Sequence, residues 1–176
     1  MTHYVAITAV GADRPGLVET LARAVFDAGC NIEESRMSVL GDQFAVILLA
    51  SGAWNTIAKL EAQMPALEQR TGLKLVTKRT DRSAPRERLL PYAVDVIAAD
   101  HPGIVYNLTS FFAGREINIQ ELITNSYYAA HTGTPMFSVH MTLQIPAEMH
   151  IASLRDEFMD LCDQLNLDAV MEPVKS

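Results

Sequence analysis

The sequence has few of the residues that form disulfides, metal sites or membrane spans. Its 176 residues include two cysteines and one tryptophan, and no apolar run approaches the roughly 18 residues that a membrane span needs. Cys30 and Cys162 lack a partner at the spacing of a zinc site or redox pair, so we expect two small buried side chains. The N-terminus enters a strand pattern without a basic segment followed by an apolar one, which predicts a soluble, cytoplasmic protein.

Positive charge is also scarce. The chain has 14 lysines and arginines against 21 aspartates and glutamates, which gives a formal charge of −7. The most basic stretch, residues 74–88, contains Asp81 and Glu87 and coincides with a predicted linker. A nucleic-acid surface needs clustered lysine and arginine, so we expect no direct nucleic-acid partner.

Motifs for catalysis, metals and cofactors are missing. The sequence contains no G-x-S-x-G turn, phosphate-binding loop or G-x-G-x-x-G segment, and its five histidines form no metal-ligand pair. Glu33 and Glu34 are adjacent on a predicted strand, so they point to opposite faces. His140 alternates with apolar residues and is expected to be half-buried with a satisfied hydrogen bond. We therefore predict a protein with no enzyme activity, metal or cofactor.

What the sequence does contain is one segment that occurs twice. It runs from Asp13 to Glu34 and again from Asp100 to Glu121. Asp, Pro, Gly, Val, Leu, Asn, Ile and Glu recur in the same order at a constant offset of 87 residues. A register kept over this length indicates an internal duplication of about half the chain.

Each copy begins with the pattern of a helix start. In the first copy, Asp13 is expected to cap the helix and Pro15 to enter its first turn, where a missing N–H costs nothing. Gly16 removes the side chain there, which leaves free N–H groups at the positive end of the helix dipole. A small carboxylate could bind such a bare helix start. The alternative is a helix start that merely packs closely against its strand.

The order of predicted elements is the same in both halves. Apolar periodicity predicts strand, helix, strand, strand, helix, strand, which is the ferredoxin-like βαββαβ unit. The predicted helices span about residues 15–28, 54–63, 102–114 and 147–165. Pro65 is expected to break or kink the second helix, with a short further turn from Leu67 to Arg70. The fold class is therefore α+β, with antiparallel sheets that carry helices on one face. The predicted parts are a first domain at 1–79, a linker at 80–88 and a second domain at 89–176.

This arrangement resembles the ACT domain family, in which a βαββαβ unit carries D-x-P-G at the first strand–helix junction and N-I at the start of the second strand. Two such units, with no room for a catalytic domain, resemble the glycine cleavage system transcriptional repressor family. The resemblance implies a regulatory module that binds an amino acid between the first loop and helix start of one unit and the strand of another. The candidate ligand contacts carried over by position are Asp13, Arg14, Pro15, Gly16, Leu17, Asn31, Ile32, Asp100, His101, Pro102, Gly103, Ile104, Asn118 and Ile119.

The resemblance also implies a function. Repressor-type members are similar in lacking a DNA-binding element and in acting through a partner transcription activator, with glycine as the leading ligand. The expected function is repression of a glycine-cleavage-type operon through that partner. Two alternatives stay open: an amino-acid-responsive allosteric subunit of a metabolic enzyme, and a protein-interaction module without a small ligand. The resemblance implies that ACT units pair through sheet edges or helices, and a four-stranded sheet leaves edges to cover. The two units of one chain could pair with each other into an eight-stranded sheet or with another chain, and we expect a homodimer.

The second copy departs from the first at three places. His101 replaces Arg14, so a ligand carboxylate would meet a group that titrates near neutrality instead of a fixed charge. Glu116 stands where the first copy has Gly29, which predicts a remodelled helix exit. The two-residue hairpin turn of the first copy becomes an extended tip at Tyr128–Thr134. We therefore expect the two candidate sites to differ.

Overall fold

The computed structural model describes residues 1–82 and 88–175, which fall into two compact units. The units are Met1–Ala84 and Pro85–Ser176, and each is described by itself. The predicted linker at 80–88 includes residues 83–87, which lie outside the described residues, as does the last residue of the predicted second domain. The exact domain bounds therefore stay a prediction.

The first unit is a four-stranded sheet with two helices. Its elements are β1 (His3–Ala12), α1 (Leu17–Asp27), β2 (Asn31–Leu40), β3 (Gln43–Gly52), α2 (Trp54–Thr71) and β4 (Lys74–Thr80). The strands are ordered β2-β3-β1-β4, and every neighbouring pair is antiparallel. This order is that of the ferredoxin-like unit.

The second unit repeats the same topology. Its elements are β5 (Leu89–Ala99), α3 (Ile104–Ala113), β6 (Asn118–Tyr128), β7 (Pro135–Pro146), α4 (Ile151–Gln164) and β8 (Asp168–Pro173). The sheet order is β6-β7-β5-β8, again antiparallel throughout. The predicted α+β fold class, with two tandem ferredoxin-like units, is confirmed.

Alternating burial places one core beneath each sheet. In β1, Val5, Ile7 and Ala9 are buried, whereas the residues between them are not. Such alternation is expected of a sheet that is covered on one face. Phe112 of α3 and Phe158 of α4 lie at the centre of the second core, with ring centroids 5.1 Å apart. The helices thus cover one face of each sheet and leave the other face open within the unit.

Both repeated helices begin after the glycine instead of at the proline. Gly16 and Gly103 are the N-cap residues, with φ of 91° and 94°, and neither helix has a side-chain cap there. The prediction that Asp13 and Asp100 cap the helices and the prolines enter the first turn is wrong. The residue before a proline is disfavoured in the helical region, and a residue with positive φ cannot belong to a right-handed helix. The helix can therefore start only after the glycine.

Two other helix boundaries differ from expectation. Helix α2 continues through Pro65, so the predicted break is wrong. Proline removes one hydrogen bond from the ladder, but the buried side chains of Met64 and Leu67 hold the chain on both sides against the core. Helix α4 starts at residue 151 instead of about 147, because the ring of His150 accepts a hydrogen bond from the Ser153 N–H, 3.2 Å away, and caps the helix.

The first helix of each unit ends in the same way although the residue differs. Gly29 has a φ of 82° and Glu116 has a φ of 56°. In both units the next residue donates its N–H to the carbonyl five positions earlier, over 3.0 Å. The exit is therefore not remodelled, contrary to the prediction. Glu116 adopts a left-handed conformation that glycine adopts without a steric cost.

Candidate functional site

The first unit carries a bare helix start. The carbonyl of Gly16 accepts hydrogen bonds from the N–H and the hydroxyl of Thr20, over 3.0 and 2.9 Å. Residues 17–19 form the first turn, where N–H groups have no acceptor within the helix. The N-cap glycine offers no side chain to these groups. The free N–H groups and the helix dipole together favour an anion such as a carboxylate at this position.

The second unit has the same helix start with different neighbours. The carbonyl of Gly103 accepts from the N–H of Asn107 over 2.9 Å. A Cβ built on Gly103 would lie 3.6 Å from the Asn107 side-chain nitrogen, so an amide stands where the first unit has the Thr20 hydroxyl. The Nδ1 atom of His101 lies 3.1 Å from the Pro102 carbonyl, to which it donates when protonated. The two helix starts therefore share backbone geometry but not side chains.

A backbone hydrogen bond ties each candidate loop to the neighbouring hairpin. The N–H of Asp13 donates to the carbonyl of Asp42 over 2.9 Å, and the N–H of Asp100 donates to the carbonyl of Pro135 over 3.0 Å. Asp42 directly precedes β3, and Pro135 is the first residue of β7. Both candidate loops thus lie at the hairpin end of their sheets.

The asparagine–isoleucine segments lie at the opposite end of each sheet. Asn31 pairs with Ser51, whereas Leu40, at the hairpin end of the same strand, pairs with Gln43. Ten residues of extended strand separate these two ends by about 30 Å. The structure therefore brings residues 13–17 together, but it does not bring them to Asn31 and Ile32 of the same unit. The second unit repeats this separation.

The asparagine corner of the first unit contains a carboxylate. Strand β2 shifts register just after Ile32, which leaves Glu33 as the extra residue of a bulge. The Ser51 hydroxyl donates a hydrogen bond to the Glu33 carboxylate. That bond lowers the pKa of Glu33, and a hydrogen bond from Asn31 and the charge of Arg82 act in the same direction against partial desolvation. The corner is therefore anionic at neutral pH.

The asparagine corner of the second unit is neutral. The Asn118 side-chain amide donates to the Gln144 side-chain oxygen over 3.2 Å. Strand β6 has the same register shift just after Ile119, so Gln120 occupies the place that Glu33 has in the first unit. The bulge is kept while its charge is lost.

Comparison with known proteins identifies the family. The ACT domain family matches residues 3–78. The glycine cleavage system transcriptional repressor of Escherichia coli strain K12 is 37% identical over 164 residues, which cover 93% of this chain and 86% of that protein. The chain belongs to the glycine cleavage system transcriptional repressor family. It is therefore a regulatory ACT-domain protein and not an enzyme.

Solved structures match the whole length of this repressor-family chain. A crystal structure of a candidate glycine cleavage system transcriptional repressor is 30% identical, with a TM-score of 0.72, over 100% of this chain and 99% of that one. An unknown protein from Galdieria sulphuraria is 25% identical, with a TM-score of 0.81, over 99% of this chain and 100% of that one. Both likenesses extend across the two units.

Two polar pairs in this repressor-family chain were not found from the sequence. His140 Nδ1 lies 2.6 Å from Asp95 Oδ1, and the histidine side chain is 41% exposed. The prediction of a satisfied, half-buried histidine is confirmed, but its partner was missed, as was the bond between Ser51 and Glu33. Both pairs join residues on different strands, and the strand register that brings them together is not visible in a local pattern.

Metal and membrane features are absent from the described parts of this repressor-family chain. Within residues 1–82 and 88–175, no helix is long and apolar enough to cross a membrane, and no cluster of His, Cys, Asp and Glu could hold a metal ion. Cys162 is buried as predicted, and burial raises the pKa of its thiol to about 11. Cys30 is only partly buried.

Proposed function

We propose that this protein senses a small amino acid, with glycine as the leading ligand, and represses transcription of a glycine-cleavage-type operon through a partner transcription activator. The observation that carries the proposal is the duplicated helix start, in which Gly16 and Gly103 leave the first-turn N–H groups uncapped. Family membership supports it, because the Escherichia coli relative is named a glycine cleavage system transcriptional repressor.

The chemistry of an amino acid fits the two ends of a unit. Its carboxylate suits a helix start, and its ammonium group suits the Glu33 carboxylate, which the low pKa keeps charged at neutral pH. Because these groups lie at opposite ends of a unit, one amino acid can contact both kinds only where the helix start of one unit meets the corner of another unit. The proposed contacts are the fourteen residues of the loops and corners named from the sequence.

The proposed sites of the two units differ in affinity. The second corner offers the amide groups of Asn118 and Gln144 instead of a carboxylate, so it attracts an ammonium group less strongly than Glu33 does. His101 in the second loop also replaces the guanidinium group of Arg14 with an imidazole, which offers a ligand carboxylate fewer N–H donors. We therefore expect one class of site to fill at lower amino-acid concentration than the other.

The proposed mode of repression is indirect. A formal charge of −7 disfavours approach to nucleic acid. The protein would then act in the cytoplasm, as a homodimer, by binding an activator. Affinity capture from a cell extract tests this step: recovery of a transcription activator supports it, whereas recovery of a biosynthetic enzyme would favour an allosteric subunit. Direct binding of purified protein to operator DNA would contradict it.

A thermal-shift screen tests ligand binding. The full chain is heated with each of the twenty amino acids at several concentrations in the millimolar range. Glycine is expected to raise Tm in a concentration-dependent way, since a ligand that binds only the folded state stabilises it by about 2.7 kcal/mol at a hundredfold excess over Kd. Absence of a shift with every amino acid would contradict the sensor function and leave the helix starts as structural corners.

Matched glycine variants separate binding from stability. Gly16 and Gly72 both have positive φ, 91° and 75°, and a Cβ on either would meet no atom within 4 Å. Gly16→Ala and Gly72→Ala should therefore both cost about 1 kcal/mol through backbone strain. Only the first should reduce the glycine-dependent rise in Tm. Gly103→Ala and Gly133→Ala provide the same comparison in the second unit, and equal responses within a pair would contradict the proposed site.

A further inference from the structure

The open face of the first sheet has an apolar centre. Strand register places Thr8 of β1 between Ile47 of β3 and Val76 of β4, on the side away from the core. Ile47 is 53% exposed, Val76 is 58% exposed and Val10, two residues along β1, is 42% exposed. These side chains form a contiguous apolar strip across the sheet, on the face that α1 and α2 do not cover. A strip of this kind on a stable protein is typical of an interface.

Positive charges predominate around this strip. The register places Arg36, Lys74 and Lys78 on the same face, opposite Ile47, Val10 and Ala6 respectively. The acidic residues of this face among the described strand positions are Glu34, opposite Leu49, and Glu33, which accepts a hydrogen bond from Ser51 on the same face. The open face of the first sheet therefore carries a formal charge of about +1 at neutral pH.

The open face of the second sheet also has an apolar centre. Ile97, Ile123 and Val170 lie on the side away from the second core and are 47%, 49% and 55% exposed. Asp95 and His140 are cross-strand partners between Val170 and Ile123. The centre of this face thus has an apolar surface interrupted by one paired acid and histidine.

Negative charges predominate around the second strip. Asp168 is opposite Ile97, Glu172 is opposite Ala93, and Glu121 is opposite Thr142, all on the open face. With Asp95, these residues give the described positions of this face a formal charge of about −4 with His140 neutral. The two open faces are therefore similar in apolar content and opposite in charge.

We propose that the open face of the first sheet in one copy of the protein docks on the open face of the second sheet in a second copy. Two-fold symmetry would then form the contact twice in a dimer. Four strands about 4.8 Å apart and about seven residues long give about 440 Å² for one face, so two contacts bury about 1,800 Å². Stable interfaces bury about 1,200–2,000 Å², so the two contacts together suffice for a dimer.

This dimer does not depend on the amino-acid site. Face-to-face packing leaves the sheet edges β2, β4, β6 and β8 and the helix starts free, whereas the family resemblance implies pairing through edges or helices. Light scattering tests the docking faces and the thermal shift tests the ligand, so either proposal can fail while the other holds. Opposite charges at the rim would mainly select the partner face and its orientation.

Charge-reversal variants of the full chain test the proposal. Lys74→Glu/Lys78→Glu makes the first face acidic, and Asp95→Lys/Asp168→Lys/Glu172→Lys makes the second face basic. Wild type should have the mass of a dimer by light scattering, and each variant alone should have the mass of a monomer, because its two faces then repel each other. An equimolar mixture should form a heterodimer, because both contacts in it join faces of opposite charge.

Control variants change charge by similar amounts on the helices. Arg23→Glu/Arg70→Glu lies on α1 and α2, and Asp156→Lys/Asp160→Lys lies on α4. Both should remain dimers. Circular dichroism checks that every variant is folded. If a multiple variant of a face does not fold, the single variant Lys78→Glu or Glu172→Lys is used for that face instead. A monomeric wild type, dimeric face variants, or folded face variants that stay monomeric when mixed would each overturn the proposal.

Discussion

Replacing Glu116 with glycine should stabilise the protein. Glu116 has a φ of 56° at the exit of α3, where a residue with a Cβ is strained. The corresponding residue of the first unit, Gly29, adopts a φ of 82° without that cost. In both exits the residue with positive φ donates its N–H to the carbonyl three positions earlier, and the next residue donates to the carbonyl five positions earlier. The substitution therefore changes the side chain and leaves the chain path in place.

The expected gain follows from the backbone conformation. A side chain in the left-handed region costs about 1 kcal/mol more than glycine, so Glu116→Gly should raise the free energy of unfolding by about that amount. For a cooperative unit of fewer than about 100 residues, such a change raises Tm by about 4–8 °C. Asn166, with a φ of 55°, should gain less from the same change, because asparagine tolerates this region better than glutamate.

Urea denaturation measures this difference. Glu116→Gly should raise the midpoint without changing the slope of the transition. Glu116→Ala is the matched control, because it removes the carboxylate but keeps a Cβ, and it should leave stability nearly unchanged. An equal gain in both variants would show that the charge of Glu116, and not its φ, was the destabilising factor. No gain in Glu116→Gly would refute the argument from strain.

Two further predictions concern the second core and its cysteine. Phe158→Ala should lower the free energy of unfolding by about 3–5 kcal/mol, because the Phe158 ring is fully buried against Phe112. Urea denaturation measures this loss. A smaller loss than that of Phe111→Ala, which removes a half-buried ring, would contradict the prediction. A thiol reagent at neutral pH should modify Cys30 before Cys162, as peptide mapping would show, because burial keeps the Cys162 thiol protonated. Folding raises the Cys162 pKa from 9.0 to about 11, so stability should fall between those pH values, and Cys162→Ala should weaken that fall.

The topology could be predicted from the sequence because the pattern was repeated at two levels. Apolar periodicity placed Leu17 and Leu21 on the buried face of α1, and the same spacing recurs in Ile104 and Leu108 of α3. The constant offset of 87 residues then confirmed that both halves have the same order of elements. Hydrophobic burial dominates the energetics of these elements, so a pattern of apolar residues suffices to find them.

The helix boundaries could not be predicted in the same way, because single residues determine them. Asp13 is of a residue type that often caps helices, but the positive φ of Gly16 moves the helix start to the residue after the glycine. Proline usually breaks a helix, but buried residues on both sides of Pro65 pack against the core and the helix continues through it. In both places the tertiary context outweighs the local preference.

The candidate site shows the same limit. The sequence locates the loops and corners by residue type, and their role as ligand contacts stays a prediction. The bulge that isolates Glu33 and brings it to Ser51 depends on the pairing of β2 with β3. The separation of the loop from the corner did follow from the topology, since β1 and β2 both pair antiparallel to β3 and so run parallel to each other. The loop after the last residue of β1 must then lie at the opposite end of the sheet from the corner where β2 begins.

That separation gives each unit a direction. The helix start at one end of each unit favours an anion, and the Glu33 carboxylate at the other end of the first unit favours a cation. If an amino acid bridges such ends between molecules, each chain offers two helix starts that can bind the carboxylate but one acidic corner that can bind the ammonium group. Identical directional pieces can grow into open filaments when their ends match without closing. The neutral corner at Gln120 weakens one of the two joining ends, so an assembly built from such bridges would have one strong ammonium contact per chain.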